Sequence, residues 1–343
     1  MDIRKLVKSN IASLRAYQAE EIPCKVKLDA NESPYGFTVL KSVKTNHYPD
    51  PAAKALRALI AKDLKVKAGS ILHGNGSDEL IYNLIAAFGG PVLYPVPTFS
   101  MYGIIAQVLG EKKIEIPLDD RFDIDITRFL NVLKTRRPKL VFLSSPNNPT
   151  GNCFSHDRIM KILRQSSGLV VVDEAYQPFS GSKSFVPFIK QHKRLVILRT
   201  LSKIGLAGLR TGFMIAHEDI VHEVNKCRLP FNLNSLSQAV AVNALKDKKR
   251  MRRFTGAIVA ERKKLYHAMN KLEAIVPYPS DANFILFRVN NAETIYNRLL
   301  RKGVLIRNMT GAVENCLRVT VGTPKENSIF LTKLKEVSGV GDQ

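Results

Sequence analysis

The chain has 343 residues, enough for one large or two moderate domains with a substantial core. Its 45% hydrophobic and 24% charged content is that of a water-soluble globular protein, and no run is long enough to span a bilayer. The net charge of +22 raises the question of nucleic acid, yet the basic residues are dispersed and match no zinc-finger, RNP or KH pattern. In chain order, the first forty residues hold no long periodic segment and are expected to form an arm that packs elsewhere, such as on a partner subunit. Residues 41–250 alternate short apolar runs with amphipathic segments. Strands are predicted at Pro91–Tyr94, Lys139–Leu143, Gly168–Val172, Arg194–Leu198 and Gly212–Ala216, with helices at Asp78–Phe88, Met101–Leu109 and His156–Ser166. Runs that are β-branched and apolar on both faces belong in a mainly parallel sheet covered by helices. From 251 to 343 the texture changes. A long amphipathic stretch, Phe254–Leu272, precedes short strands at Asn283–Val289, Gly303–Arg307 and Cys316–Val321, with helices at Ala292–Lys302 and Glu326–Val337. This predicts a smaller α+β domain at the C-terminus.

The cysteines, Cys24, Cys153, Cys227 and Cys316, are widely spaced and form no CxxC pair, so reduced thiols and no metal site are expected. His217 and His222 in HEDIVHE miss the HExxH spacing and read as surface histidines. The start, MDIRKLVKSNIASLRAY, has no apolar core followed by a cleavage site, which fits a cytoplasmic protein.

Chemistry in a parallel sheet gathers at the carboxyl ends of its strands, and polar residues follow several of these runs. After Ile71-Leu72 comes HGNGSDEL, where glycines permit close backbone approach and Ser77 or Asp78 could cap a helix whose free N–H groups hold a phosphate. After Leu143 comes SSPNNPTG, which reads as a turn but whose Asn147 and Asn148 offer amide donors. After Val172 comes DEAY; an acid there is either a helix cap or the partner of a buried cation. Five residues beyond Leu198 stands Lys203, with Arg210 close behind. A phosphate cradle, an acid for a ring nitrogen, donors for a phenolic oxygen and a lysine for a carbonyl together specify pyridoxal 5′-phosphate.

SPNNPTG, VVDEAY and RTLSK, in that order, resemble the fold type I pyridoxal-phosphate-dependent aminotransferases, from LDANESPYG at residues 28–36 to CLRVTVGT at 316–323. LDANESPYG, HYPDP, GNGSDEL, PTFSMY and NCLRVTVGT are similar, within that family, to the histidinol-phosphate aminotransferases. The resemblance implies a large PLP-binding domain with a mainly parallel mixed sheet, a smaller C-terminal domain, an N-terminal arm and a homodimer. It implies that Lys203 forms the Schiff base and moves the proton, that Asp173 pairs with the ring nitrogen, and that Tyr176 and Asn148 bond the ring oxygen. Gly76, Ser77, Asp78, Ser202 and Arg210 would hold the phosphate, with help from Thr200 and from Tyr48 of the neighbouring subunit. Phe99 would stack on the ring, where many members have tyrosine. Arg318 and Arg307 would receive substrate anions, and Tyr17, Asn31 and Glu32 would line the substrate pocket. The implied substrates are histidinol phosphate and glutamate or 2-oxoglutarate, with no nucleic acid and no membrane. An aromatic or broad-specificity aminotransferase of the same fold, a threonine-phosphate decarboxylase and a non-catalytic basic nucleic-acid-binding protein are the alternatives. One departure stands out: the path from Lys203 to Arg210 is one residue shorter than in many members, and Gly205 would have to permit the tighter loop.

Overall fold

A computed structural model of the chain describes residues 24–29, 31–35 and 47–339. Tyr17 lies outside the described residues, as does most of the expected arm. In chain order the first half contains β1 (Val26–Lys27), α1 (Lys54–Leu64), β2 (Ile71–Asn75), α2 (Ser77–Phe88), β3 (Val92–Val96), α3 (Met101–Val108), β4 (Lys113–Pro117), α4 (Ile126–Arg136), β5 (Leu140–Ser144), α5 (His156–Gln165) and β6 (Leu169–Asp173). Then follow β7 (Leu195–Thr200), β8 (Thr211–Ile215), α6 (Glu218–Lys226), α7 (Ser235–Lys246), α8 (Lys248–Met269), β9 (Val276–Pro277), β10 (Phe284–Arg288), α9 (Ala292–Arg301), β11 (Val304–Leu305), β12 (Arg307–Asn308), β13 (Cys316–Thr320) and α10 (Pro324–Ser338).

Seven strands form the main sheet in the order β2-β8-β7-β6-β5-β3-β4. β8 alone runs against its neighbours, β2 and β7; every other pairing is parallel. Successive side chains on a strand point to opposite faces, and both faces are covered. Val170 and Val172 of β6 enter one core with Ile197 and Leu143, while Val171 enters the other with Val196 and Phe142. That two-sided burial is why β5, β6 and β7 read as unbroken apolar runs.

A four-stranded antiparallel sheet, β12-β13-β10-β9, lies in the C-terminal part. Two expectations need correction. The single strand expected at Gly303–Arg307 is two: β11 pairs in parallel with β1, and β12 pairs with β13, with the buried Ile306 between them as the chain changes sheet. The turn expected directly after Leu72 begins later, because His73, Gly74 and Asn75 continue β2 opposite Phe213, Gly212 and Thr211. The edge strand β4 and helices α1, α4, α6 and α7 add to the elements expected from the sequence.

Polar contacts join the C-terminal part to loops that follow strands of the main sheet. Arg262 of α8 donates to the carbonyls of Phe179 (3.2 Å) and Ala282 (2.6 Å). The Asp281 N–H donates to the Gly151 carbonyl at 2.7 Å. No helix among the described residues is long and apolar enough to cross a membrane, and the four cysteines are free thiols.

Candidate active site

Ser144, Asp173 and Thr200 are the last residues of three adjacent parallel strands, and all three line one cavity of about 380 Å³. Ser77, Asp78, Phe99, Met101, Asn148, Ala175, Tyr176, Ser202, Lys203 and Arg210 complete its wall. The topology explains the convergence: side chains distant in sequence meet because parallel strands end on the same side of the sheet.

Lys203 follows β7 in a short 3₁₀ turn, Ser202–Ile204. The Thr200 hydroxyl donates to the Ser202 hydroxyl (3.0 Å) and accepts the Ser202 N–H (3.1 Å), which fixes the start of the turn. Leu201, Ile204 and Leu206 are buried and anchor the loop. Lys203 Nζ lies 5.9 Å from the centroid of the Tyr176 ring. Gly205, at φ 97°, takes the left-handed turn that the shortened segment requires.

That path ends with Arg210 beside α2. Its Nη2 is 2.9 Å from Asp78 Oδ2, a half-exposed pair of modest strength. A guanidinium has five donors, so others remain for a ligand. Gly212, two residues on, lets β8 approach the turn: a Cβ there would sit 2.5 Å from the Ser77 nitrogen. A Cβ on Gly76 (φ 85°) would meet Arg210 Nη2 at 2.7 Å. The expectation that Ser77 or Asp78 caps α2 is not met. Gly76 precedes the helix without a side-chain cap, and Ser77 is already its first helical residue. First-turn N–H groups lack intrahelical partners, so this end of α2 suits an anion.

Asp173 is 3% exposed. Its Oδ1 accepts the Ala175 N–H (3.0 Å) and its Oδ2 accepts the Tyr102 hydroxyl (2.8 Å). Burial pushes the carboxyl up to about 6. The two hydrogen bonds pull it down, and the negative charges of Asp78 and Glu174 push it further up. A carboxylate so placed calls for a cation in the cavity.

The two asparagines separate in role. Asn147 is fully buried and stitches loops together: it accepts from Thr98 Oγ1 (2.7 Å) and donates to the Pro97 carbonyl (3.0 Å) and Thr150 Oγ1 (2.8 Å). Asn148 lines the cavity, and its Oδ1 accepts from Arg318 Nη1, which leaves its NH₂ for a ligand. The other Arg318 amino group donates to the Asp29 carbonyl at 3.0 Å. Arg307 stands directly opposite Arg318 across β12 and β13. Like charges opposite each other are unfavourable unless an anion joins them.

The remaining candidates divide. Asn31, buried in the left-handed conformation, donates to the Tyr176 hydroxyl at 3.1 Å and so borders the site. Glu32 is exposed and accepts from Lys27 Nζ at 3.1 Å; it does not line the cavity. Tyr48 is 82% exposed, stacks on Phe231 with centroids 4.6 Å apart, and is likewise outside the cavity wall. Tyr102 also belongs to the site, through Asp173, and was not expected from the sequence, although it closes PTFSMY three residues beyond Phe99.

Pyridoxal phosphate fits these residues. An anion site with Arg210 beside it, a buried acid and a lysine share a cavity, and glycines stand where side chains would crowd the phosphate end. Among the described residues no group of three potential metal ligands gathers.

The aminotransferase class I and II family model matches residues 13–334. A histidinol-phosphate aminotransferase of Aquifex aeolicus is 42% identical over 347 residues, covering 96% of this chain and 98% of that one. The crystal structure of the histidinol-phosphate aminotransferase from Clostridium acetobutylicum superposes with a TM-score of 0.85 at 27% identity, over 92% of this chain and 99% of the other. The fold also matches that of the Sinorhizobium meliloti histidinol-phosphate aminotransferase in complex with pyridoxal-5′-phosphate: TM-score 0.88, 22% identity, 97% and 98% coverage. The chain therefore belongs to the class I and II aminotransferases, in the histidinol-phosphate aminotransferase family.

Proposed function

We propose that this chain transfers the amino group of L-histidinol phosphate to 2-oxoglutarate, giving imidazole-acetol phosphate and L-glutamate, as a cytoplasmic enzyme of histidine biosynthesis. The observation that carries this reading is one cavity lined by Lys203, Asp173 and Arg210, with Arg318 bonded to its wall at Asn148. Support comes from relatives named for that activity at about 40% identity over nearly the whole chain.

When bound, pyridoxal phosphate supplies an aldehyde that condenses with amines and a protonated ring that draws electrons from the substrate Cα. Arg210, Thr200, Ser202 and the Gly76-Ser77-Asp78 turn would hold its phosphate. Asp173 would keep the ring nitrogen protonated, Asn148 and Tyr176 would donate to the ring oxygen, and Phe99 would pack on the ring. Lys203 Nζ takes the proton from Cα of the amino donor and gives one to Cα of the product in the returning half-reaction. Arg318 binds the phosphate of one substrate and the carboxylate of the other in turn, since both anions accept two parallel N–H bonds from a guanidinium. Arg307 is the second anion contact, and Asn31, bonded to the Tyr176 hydroxyl, borders the substrate pocket. One product leaves before the second substrate enters, so the kinetics are ping-pong.

The functional unit in this reading is a homodimer. Leu229 (70% exposed), Leu236 (50%) and Phe231 (39%) are large exposed apolar side chains, and Phe231 carries the Tyr48 ring. A second copy covers this face and takes Tyr48 into its own phosphate site. A large domain at 41–250 and a small one at 251–343, joined by residues 1–40, belong to the same proposal.

The test compares turnover of histidinol phosphate and phenylalanine with 2-oxoglutarate under equal conditions. The former should be strongly preferred; a preference for phenylalanine would refute the substrate assignment and leave an aromatic aminotransferase. Mixing Tyr48→Phe and Lys203→Ala subunits tests the dimer: activity should depart from the sum of the separate preparations.

A further inference from the structure

Tyr102 is fully buried within an aromatic cluster. Its ring stacks on Phe142 (4.8 Å between centroids, 16° between planes) and meets Phe99 edge-on (5.6 Å, 87°), with Tyr94 tilted against it at 6.3 Å. So held, the ring points its hydroxyl at Asp173 Oδ2, 2.8 Å away. Among the described residues the carboxylate has one other hydrogen bond, from the Ala175 N–H.

We infer that Tyr102 is a positioning residue that keeps Asp173 ionised and aimed at the cofactor ring nitrogen. The inference rests on Asp173 being the acid partner of that nitrogen. The neighbours show why such a donor is needed. Asp78 from α2 and Glu174 from the same segment present negative charge to Asp173. Tyr176 and Lys203 share its cavity and Ser144 faces Tyr102, yet none donates to the carboxylate. Burial holds the Tyr102 phenol far above its ordinary range, so it stays a neutral donor and does not compete for the negative charge. The segment that brings Phe99 to the cavity thus also controls, one turn later, the acid across from it.

The test follows the ¹³C-carboxyl signal of Asp173, assigned by its loss in Asp173→Asn, in the full-length chain freed of cofactor. Tyr102→Phe keeps the ring and removes one hydrogen bond to a charged acceptor. It should raise the Asp173 midpoint by about one to two pH units. Tyr94→Phe removes a buried hydroxyl of the same cluster that bonds Glu115 instead, and should leave Asp173 in place. Cofactor affinity of Tyr102→Phe should be about two- to tenfold weaker at pH 7, following the ionised fraction, and should recover by pH 9. An unmoved midpoint, an equal effect of Tyr94→Phe, or a pH-independent loss of affinity would each overturn the inference. 3-Fluorotyrosine at position 102, a stronger donor, must lower the midpoint; no change would be equally fatal, even if Tyr102→Phe does not fold. If Asp173→Asn keeps wild-type affinity, the Asp173 assignment itself fails and the inference with it. If only the Tyr102 arms fail, that assignment stands.

Discussion

Asp173 should make the cofactor-free protein less stable than it need be, and the size of the effect can be worked out. The folded carboxyl titrates at about 6 against an ordinary 3.8, because burial disfavours its charge. One pH unit corresponds to 1.36 kcal/mol, so an ionised Asp173 costs about 3 kcal/mol. The sign follows from the raised folded value. Between pH 3.8 and 6 the folded state binds more protons than the unfolded state, so stability falls as pH rises. The penalty is absent below 3.8 and complete above 6. Asp173→Asn removes the charge at nearly constant shape. The Tyr102 hydroxyl can rotate to accept from the new amide, which leaves the loss of about one hydrogen bond, some 1–2 kcal/mol. The cofactor-free variant should thus be about 1–2 kcal/mol more stable than wild type at pH 7.5 and less stable at pH 4. The assay is urea unfolding at a series of pH values and one fixed protein concentration, since association contributes to apparent stability. The decisive quantity is the change in the mutant-minus-wild-type difference between pH 4 and 7.5, about 2.5 kcal/mol. A difference that does not vary with pH would refute the reasoning, whichever protein is the more stable.

Other substitutions probe other parts of the site. Lys203→Ala should leave no cofactor linked to the chain after borohydride reduction and lower turnover by about 10²- to 10⁴-fold, the contribution of a general base acting at Cα; an active variant that still links the cofactor would move the chemistry to another residue. Arg318→Lys keeps the charge but loses the two-pronged geometry, so kcat/KM should fall about 10- to 100-fold for both substrates, as read in separate half-reactions. Gly212→Ala places a carbon 2.5 Å from the Ser77 backbone, so cofactor affinity should fall along with thermal stability; unchanged affinity would mean that the turn does not need β8 so close. Glu174, 1% exposed, accepts from Arg199, Ser184 and the Phe185 N–H. Glu174→Ala should destabilise the fold by about 2–4 kcal/mol, measured by denaturant unfolding, because it takes the acid from a partly buried guanidinium and the acceptor from the buried Phe185 N–H.

The main sheet was legible because its strands advertise themselves twice. β5, β6 and β7 are apolar on both faces, and each ends in a polar residue that an apolar environment must explain. β4 was not legible: only Ile116 of Lys113–Pro117 is buried, so an edge strand carries no comparable run. α4 and α6 bury narrow stripes within polar sequence and yield no strong apolar signal. The ligand-facing residues after strands were visible for the same reason as the strands. What escaped was contact across the fold. Asn147 and Asn148 are equivalent in sequence, yet one staples loops and the other faces the cavity. Glu32 could have faced a substrate or formed a loop ion pair, and it lies on Lys27.

The least legible feature is also the one that makes the rest work. Val170, Val171 and Val172 are fully buried, and burial of each such side chain is worth roughly 1.5–3 kcal/mol. The next residue on the strand, Asp173, gives back about as much as one of them contributes when it ionises. A sequence displays both facts, four apolar residues and then an acid, but not that the acid has two donors among the described residues, or that one of them is a tyrosine from another strand's helix. The cost is tolerated because β6 is flanked by β5 and β7 and cannot shift to expose its end to water. The carboxylate therefore stays undersolvated until a cation arrives. A protonated ring nitrogen placed there recovers the energy on binding, so the same burial that weakens the empty protein strengthens its hold on the cofactor and fixes the ring's charge.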